Sequence, residues 1–112
     1  MAFKIPDALF SSAYFDQGGE PAWPKLEALK VIVWATESKI AVLGGEIWFP
    51  TFPGPTIAGY YFEVRQGEGE DWNDFVIRAN RHCTEYISTF DFDPSDHNYG
   101  RMPYFNLTFS KG

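Results

Sequence analysis

The chain has 112 residues, of which 15 are acidic and 9 are basic, so its formal net charge is −6. Proteins that bind nucleic acid or anionic membrane surfaces need an excess of lysine and arginine, so both partners are disfavoured. Apolar residues make up 45% and aromatic residues 19% of the chain, which indicates a folded globular domain rather than a disordered segment.

The single cysteine, Cys83, excludes an internal disulfide and fits a reducing compartment. The N-terminal residues show no cationic stretch followed by an apolar run, the pattern of a secretory signal. The longest apolar run, residues 31–35, is far shorter than the roughly 20 residues that span a bilayer. We therefore expect one cytoplasmic domain over residues 1–112, with no membrane partner and an oligomeric state that the sequence leaves open.

Two helices are predicted in the first third of the chain. Residues 7–15 begin with a typical capping residue, Asp7, and their apolar residues recur at helical spacing. Gly18 and Gly19 then interrupt the pattern. Residues 24–37 begin with a proline, which suits the first helical position, and present one apolar face.

Two strands follow. Residues 40–49 are rich in β-branched and aromatic side chains and predict a strand with a break or bulge at Gly44 and Gly45. The prolines of residues 50–55 predict a loop. Residues 56–65 alternate, which places the even-numbered side chains on the core and the odd-numbered ones toward solvent or an edge.

The last elements are a long helix and a strand. Asp71 is predicted to cap a helix over residues 72–90, because the apolar residues there recur every three or four positions over about five turns. A loop over residues 91–103 leads to an alternating strand over residues 104–109. This order predicts an α+β fold, with a small antiparallel or mixed sheet of about 3–5 strands and two to three helices packed on one face.

The negative charge is concentrated in the second half of the chain. Residues 63–96 contain nine acidic residues against three arginines, a local charge of −6. Such a block either keeps the surface hydrated or steers and docks a basic partner. The candidate docking charges are Glu68, Glu70, Asp71, Asp74, Asp91, Asp93 and Asp96.

The sequence contains no recognisable catalytic or metal-binding pattern. His82 and Cys83 would point about 100° apart on a helix, so they cannot act as base and nucleophile. Residues 91–97 are oxygen-rich but lack the glycine and glutamate spacing of a calcium loop, so turn formation or a partner contact explains them better. Residues 67–69 lack the third glycine of a dinucleotide loop. We therefore predict no enzyme, no metal and no cofactor.

Aromatic residues outnumber what one small core requires. They either pack beneath loops or form a contact surface, since aromatic side chains dominate binding hot spots. The aromatic residues with this ambiguity are Phe49, Phe52, Tyr61, Phe92, Tyr99 and Tyr104.

Two short motifs occur in a distinctive order. The first motif has two parts: residues 26–30, Leu-Glu-Ala-Leu-Lys, and residues 40–48, Ile-Ala-Val-Leu-Gly-Gly-Glu-Ile-Trp. The second motif is residues 69–76, and it continues on the same predicted helix with residues 85–87. Together they resemble the immunity protein 40 family of bacterial polymorphic toxin systems, over residues 23–87. The matching positions are Leu43, Gly44, Gly45, Glu46 and Trp48 in the first motif, and Glu70, Trp72, Phe75, Tyr86 and Ile87 in the second.

The resemblance implies a small cytoplasmic protein that binds and blocks a cognate toxin domain and is not an enzyme. It implies that most motif residues are signatures of the fold; residues 49–55 and the tail after residue 91 match no family pattern. Many toxin domains attack nucleic acid and are basic, so an acidic surface would attract them. The alternatives are a small-ligand module with an aromatic-lined pocket near Trp48, Tyr61 and Trp72, or a structural subunit of a larger complex.

Overall fold

A computed structural model describes residues 4–51 and 54–112 of the chain. The described residues form one sheet of five strands, two α-helices and a short 3₁₀ helix, so the predicted α+β class is confirmed. In chain order, after the 3₁₀ helix Asp7–Phe10, the elements are β1 (Tyr14–Phe15), β2 (Pro21–Pro24), α1 (Lys25–Glu37), β3 (Ala41–Phe49), β4 (Thr56–Glu63), α2 (Trp72–Thr89) and β5 (Tyr104–Ser110).

All neighbouring strands are antiparallel, in the order β1-β2-β5-β3-β4. β3 lies inside the sheet and pairs with β5 on one side and β4 on the other. Gly45 stands opposite Leu107 and Phe62, and Glu46 stands opposite Asn106 and Tyr61. β4 is an edge strand, which leaves one side of its backbone without a strand partner among the described residues.

Both helices cover the same face of the sheet. α1 and α2 contact each other, and both contact β3. The core between the helices and the sheet includes Trp23, Ile47, Phe75, Ile87 and Phe105. The opposite face is not covered by a helix of the described chain, and we call it the open face. No helix in the described ranges is long and apolar enough to cross a membrane.

The strongly patterned elements match their predictions closely. The helix over residues 72–90 is α2, and the Asp71 side chain accepts hydrogen bonds from the backbone N–H groups of Asn73 and Asp74 at 3.0 and 3.3 Å. From Ile57 onward in β4, the even-numbered side chains Ala58, Tyr60 and Phe62 pack on the core and the odd-numbered residues are exposed, as predicted. The pairing of β3 with β5 shifts register between Val42 and Gly44, which confirms the predicted irregularity.

The prediction of a helix over residues 7–15 was wrong. Only the single 3₁₀ turn Asp7–Phe10 forms, and the Asp7 predicted to cap it lies within the turn. A helix this short does not recover its nucleation cost from local bonds. Tertiary contacts decide the conformation instead, because the Trp23 indole N–H donates to the carbonyl of Leu9 at 2.7 Å and Phe10 stacks on the same indole.

Two strands were absent from the prediction, β1 and β2. They form a hairpin in which the Asp16 carboxylate accepts a hydrogen bond from the backbone N–H of Glu20 at 2.8 Å. β2 then pairs with β5 through Trp23 with Phe105 and Pro24 with Tyr104, so the partners lie at least 80 residues apart along the chain. Pro24 precedes the first residue of α1 and occupies the cap position rather than the first helical one.

Candidate partner-binding surface

The seven predicted docking carboxylates do not form one continuous patch. They lie at the two ends of α2, which has 18 residues and is therefore about 27 Å long at 1.5 Å per residue. The N-terminal acidic cluster consists of Glu68, Glu70, Asp71 and Asp74, and the C-terminal acidic cluster of Asp91, Asp93 and Asp96. The acidic block in the sequence therefore becomes two separate clusters in space.

Part of the N-terminal acidic cluster stabilises the fold. The Arg78 guanidinium donates to both carboxylate oxygens of Glu70 at 2.8 and 2.9 Å and lowers the pKa of Glu70 to about 2. Arg78 also donates to the backbone carbonyl of Arg65 at 2.7 Å, which ties the end of β4 to α2. Glu68 and Asp74 are exposed, and their carboxylates make no hydrogen bond or ion pair within the described residues.

The C-terminal acidic cluster shapes its loop. Asp93 accepts hydrogen bonds from the hydroxyl and backbone N–H of Ser95, and these bonds lower its pKa. Asp96 accepts a hydrogen bond from the Tyr60 hydroxyl at 2.7 Å, which lowers the pKa of Asp96 and fastens the loop to β4. Asp91 accepts from the adjacent backbone N–H. These turn contacts confirm the structural interpretation of residues 91–97, and the carboxylates remain available to attract a cation over longer distances.

The ambiguous aromatic residues divide between packing and exposure. Phe49 and Phe92 are buried and contact each other, with their ring centroids 5.5 Å apart, so they pack beneath loops. Tyr104 is partly buried on β5. Tyr61 and Tyr99 are exposed and are available for contact. Phe52 lies outside the described residues.

The first motif forms the floor of a groove on the open face. The groove has a volume of about 480 Å³ and follows β3 from Leu43 to Glu46. One wall is formed by β4 and the residues that follow it, and the other by β5. The wall residues that contact this space and lie on the open face are Tyr61, Glu63, Arg65, Asn106 and Thr108.

Glycine is required at two positions of the floor. A Cβ atom on Gly44 would lie 2.0 Å from the carbonyl oxygen of Phe62, and one on Gly45 would lie 1.9 Å from that of Asn106. Gly44 also has a φ angle of +144°, which side chains with a Cβ rarely adopt. The neighbouring strands can therefore approach closely only because the motif has two glycines. This agrees with the implication of the resemblance that most motif residues are signatures of the fold.

Glu46 differs from the unpaired docking charges Glu68 and Asp74, which are exposed, because it is partly buried in the groove. Its Oε1 atom accepts a hydrogen bond from the Trp48 indole at 3.1 Å, and no arginine or lysine of the described chain pairs with its carboxylate. Glu63, by contrast, is neutralised by Arg65 at 3.0 Å. Glu46 was predicted as a motif residue and not as a docking charge. Its position two residues before Trp48 in a strand was the signal that the two side chains share one face.

Within the described part of the chain, the three side chains considered for an aromatic-lined pocket do not line one common cavity. Tyr61 lines the groove, but Trp48 is buried on the open face, 4% exposed, and does not contact that space. Trp72 lies at the start of α2 and donates its indole N–H to the carbonyl of Lys39 at 3.1 Å. The three side chains therefore lie in three different environments.

The described surface offers carboxylates, aromatic rings and a groove with a backbone floor. None of the described residues form a group of three or more histidine, cysteine or acidic side chains that could hold a metal. The exposed carboxylates, rings and groove suit contact with another macromolecule.

Comparison with family models identifies the family of the chain. The model described as immunity protein 40 matches residues 13–109, so the chain belongs to this family. The match runs from β1 to the penultimate residue of β5 and includes both acidic clusters and the groove. Families of immunity proteins are typically non-enzymatic inhibitors of toxins, and membership indicates a toxin-neutralising function. Comparison with curated proteins gives no match, and neither does comparison with solved structures.

Proposed function

We propose that the protein binds and neutralises a cognate bacterial toxin domain in the cytoplasm, as one domain that acts by binding rather than by catalysis. The observation that carries this proposal is the family match over residues 13–109, which includes every strand of the sheet. An inhibitor of this kind needs a rigid surface of fixed chemistry, and a five-stranded sheet backed by two helices provides one.

The charge of the chain favours a basic toxin domain as the partner. The net charge of −6 creates a negative field, and the two acidic clusters concentrate it near the ends of α2. Glu68 and Asp74 are exposed and unpaired within the described residues, so they act over distance. Attraction of this type raises the rate of association and weakens as salt is added.

The test is co-expression with the toxin-like C-terminal domain encoded by the adjacent gene. We expect a complex that survives purification at low salt and protection of the host cell from the toxin. An unrelated acidic protein of similar size should give neither. The proposal is wrong if no toxin-like domain is encoded there, or if the two proteins do not associate at low salt.

The role of the acidic clusters has its own test. The double variant Glu68→Gln and Asp74→Asn should slow association and flatten its dependence on salt, because it removes two unpaired charges. Glu37→Gln, which removes an exposed charge from α1, is the matched control and should have a smaller effect. An unchanged association rate in the double variant would show that the clusters do not steer the partner.

A further inference from the structure

We propose that the toxin domain docks on the open face of the sheet, and that an arginine or lysine of the toxin enters the groove to pair with Glu46. This inference rests on the proposed function and names the surface and the chemistry that would carry it. It replaces the acidic clusters as the direct contact and keeps them as the charges that attract the partner.

The shape of the groove allows a close approach. Gly44 and Gly45 line the groove and add no side chain to it, so its width is set by the residues of its walls. The volume of about 480 Å³ is within the range of about 300–1,000 Å³ that recognised binding clefts occupy. It is therefore large enough to admit a long side chain together with the backbone that carries it.

The charge in the groove selects a cation. Glu46 is the carboxylate of this surface without a basic neighbour in the described chain, since Arg65 already neutralises Glu63. Glu46 is also partly buried, so a cation that reaches it is less screened by water than one at an exposed acid. One oxygen of Glu46 accepts from Trp48, which holds the carboxylate in place for a second donor.

Tyr61 supplies an aromatic wall beside this carboxylate. It stands directly opposite Glu46 across the β3–β4 pair, and its side chain is 74% exposed. A guanidinium that pairs with Glu46 would lie against the Tyr61 ring, where cation–π attraction adds to the ion pair. Exposed Ile57 lies on the same face of β4 and extends the apolar contact.

The two acidic clusters flank the same strand. Arg78 links Glu70 to the backbone of Arg65, at the C-terminal end of β4. The Tyr60 hydroxyl links β4 to Asp96 of the C-terminal acidic cluster. These contacts place both clusters on the helix side of the sheet, next to the edge strand β4. A basic partner drawn toward them therefore approaches the β4 edge, which borders the groove.

Helix α1 is a weaker docking surface for a basic partner. α1 exposes Leu26 and Val33, but it carries two lysines and two glutamates, so its charges cancel. The exposed residues of this helix therefore serve as matched controls for those of the groove.

The experiment measures the dissociation constant of the toxin-like domain from the adjacent gene, in a catalytically inactive form, by titration calorimetry. Glu46→Gln keeps an oxygen for the Trp48 indole and removes the charge, and Tyr61→Ala removes the exposed ring. Each should raise the dissociation constant at least about tenfold, because a partly buried ion pair or a central aromatic contact is lost. The controls Glu37→Gln and Leu26→Ala should change it less than about threefold.

The outcomes separate this inference from the proposed function. If the wild-type protein does not bind the toxin-like domain, the proposed function fails. If it binds and both groove variants bind equally well, the proposed function stands and the groove assignment is wrong. Thermal unfolding verifies that each variant is folded; should Glu46→Gln be unstable, Tyr61→Ala decides, since an exposed side chain contributes little to the core.

Discussion

Asn80 on α2 accepts a hydrogen bond from the backbone N–H of Val42 on β3, with the two atoms 2.7 Å apart. The amide group of the same side chain donates to the carbonyl of Ile40 and to the hydroxyl of Thr36, each at 2.9 Å. Asn80 is 2% exposed, so these bonds form inside the core. One polar side chain therefore joins α1, α2 and the start of β3, beside the groove-forming motif.

Replacement of this side chain should destabilise the protein strongly. Asn80→Ala leaves the N–H of Val42 and the carbonyl of Ile40 buried without their partner and opens a small cavity, which should lower the free energy of unfolding by about 2–4 kcal/mol. Urea denaturation measures the change. Asn73→Ala, at an exposed position of the same helix, should stay within about 0.5 kcal/mol of wild type. Equal effects at the two positions would show that the bonds of Asn80 do not matter.

The two glycines of the first motif should tolerate no larger residue. Gly45→Ala places a methyl group against the carbonyl of Asn106, and Gly44→Ala adds backbone strain to a similar clash with Phe62. Each should lower the free energy of unfolding by at least about 2 kcal/mol in urea denaturation. Gly18→Ala is the control, because its Cβ would meet only the Asp16 carboxylate at 3.5 Å. Wild-type stability in Gly45→Ala would contradict the close strand approach.

The Glu70–Arg78 pair predicts a specific loss of stability in acid. The pKa of Glu70 is lowered from 4.5 to about 2, so its contribution is complete above pH about 4.5 and is lost as the pH falls toward 2. The melting temperature of wild type should exceed that of Glu70→Gln above this range, and the difference should close within it. Glu68→Gln leaves the Arg78 pair intact and should keep the acid sensitivity of wild type. A difference that does not vary with pH would exclude this assignment.

Cys83 should be unreactive in the folded protein. Burial raises the pKa of its thiol to about 12, and its Sγ atom contacts the carbonyl of Val42 at 3.5 Å. Because the thiolate is the reactive form, a maleimide reagent should label Cys83 only when the protein unfolds. Mass spectrometry with and without urea measures the labelling. Rapid labelling without urea would show that this part of the core opens readily.

Local patterns were sufficient for some elements. α2 could be predicted because its apolar stripe and the Asp71 cap are both encoded within one continuous segment. β4 could be predicted because alternation directly specifies which side chains face the core.

The elements that the prediction missed depend on distant partners. The conformation near Leu9 is decided by the indole of Trp23, and β2 is held by β5, where the Asn106 amide donates to the carbonyl of Pro21 at 2.8 Å. Trp23 is 14 residues from Leu9, and Asn106 is 85 residues from Pro21, so no pattern within either short segment indicates its partner. Short segments with weak local preferences therefore adopt the structure that the rest of the chain allows.

The candidate site also combines features that the local sequence encodes with features that depend on distant partners. Counting charges located the acidic residues, and the predicted helix placed them at its two ends, but neither could show that Glu70 already has a partner in Arg78. Glu46 belonged to the motif, yet its place opposite Tyr61 depends on strand register, which the sequence did not specify. The two motif glycines, by contrast, could be assigned to the fold before their neighbours were known.

Hydrogen exchange on the complex with the toxin-like domain tests the central claim most directly. We expect the complex to slow exchange in residues 43–48 and in the edge strand Thr56–Glu63, because the partner covers the groove and the outer side of β4. The helix Lys25–Glu37 should exchange as it does in the free protein. Protection confined to that helix, with none in the groove or in β4, would contradict the account.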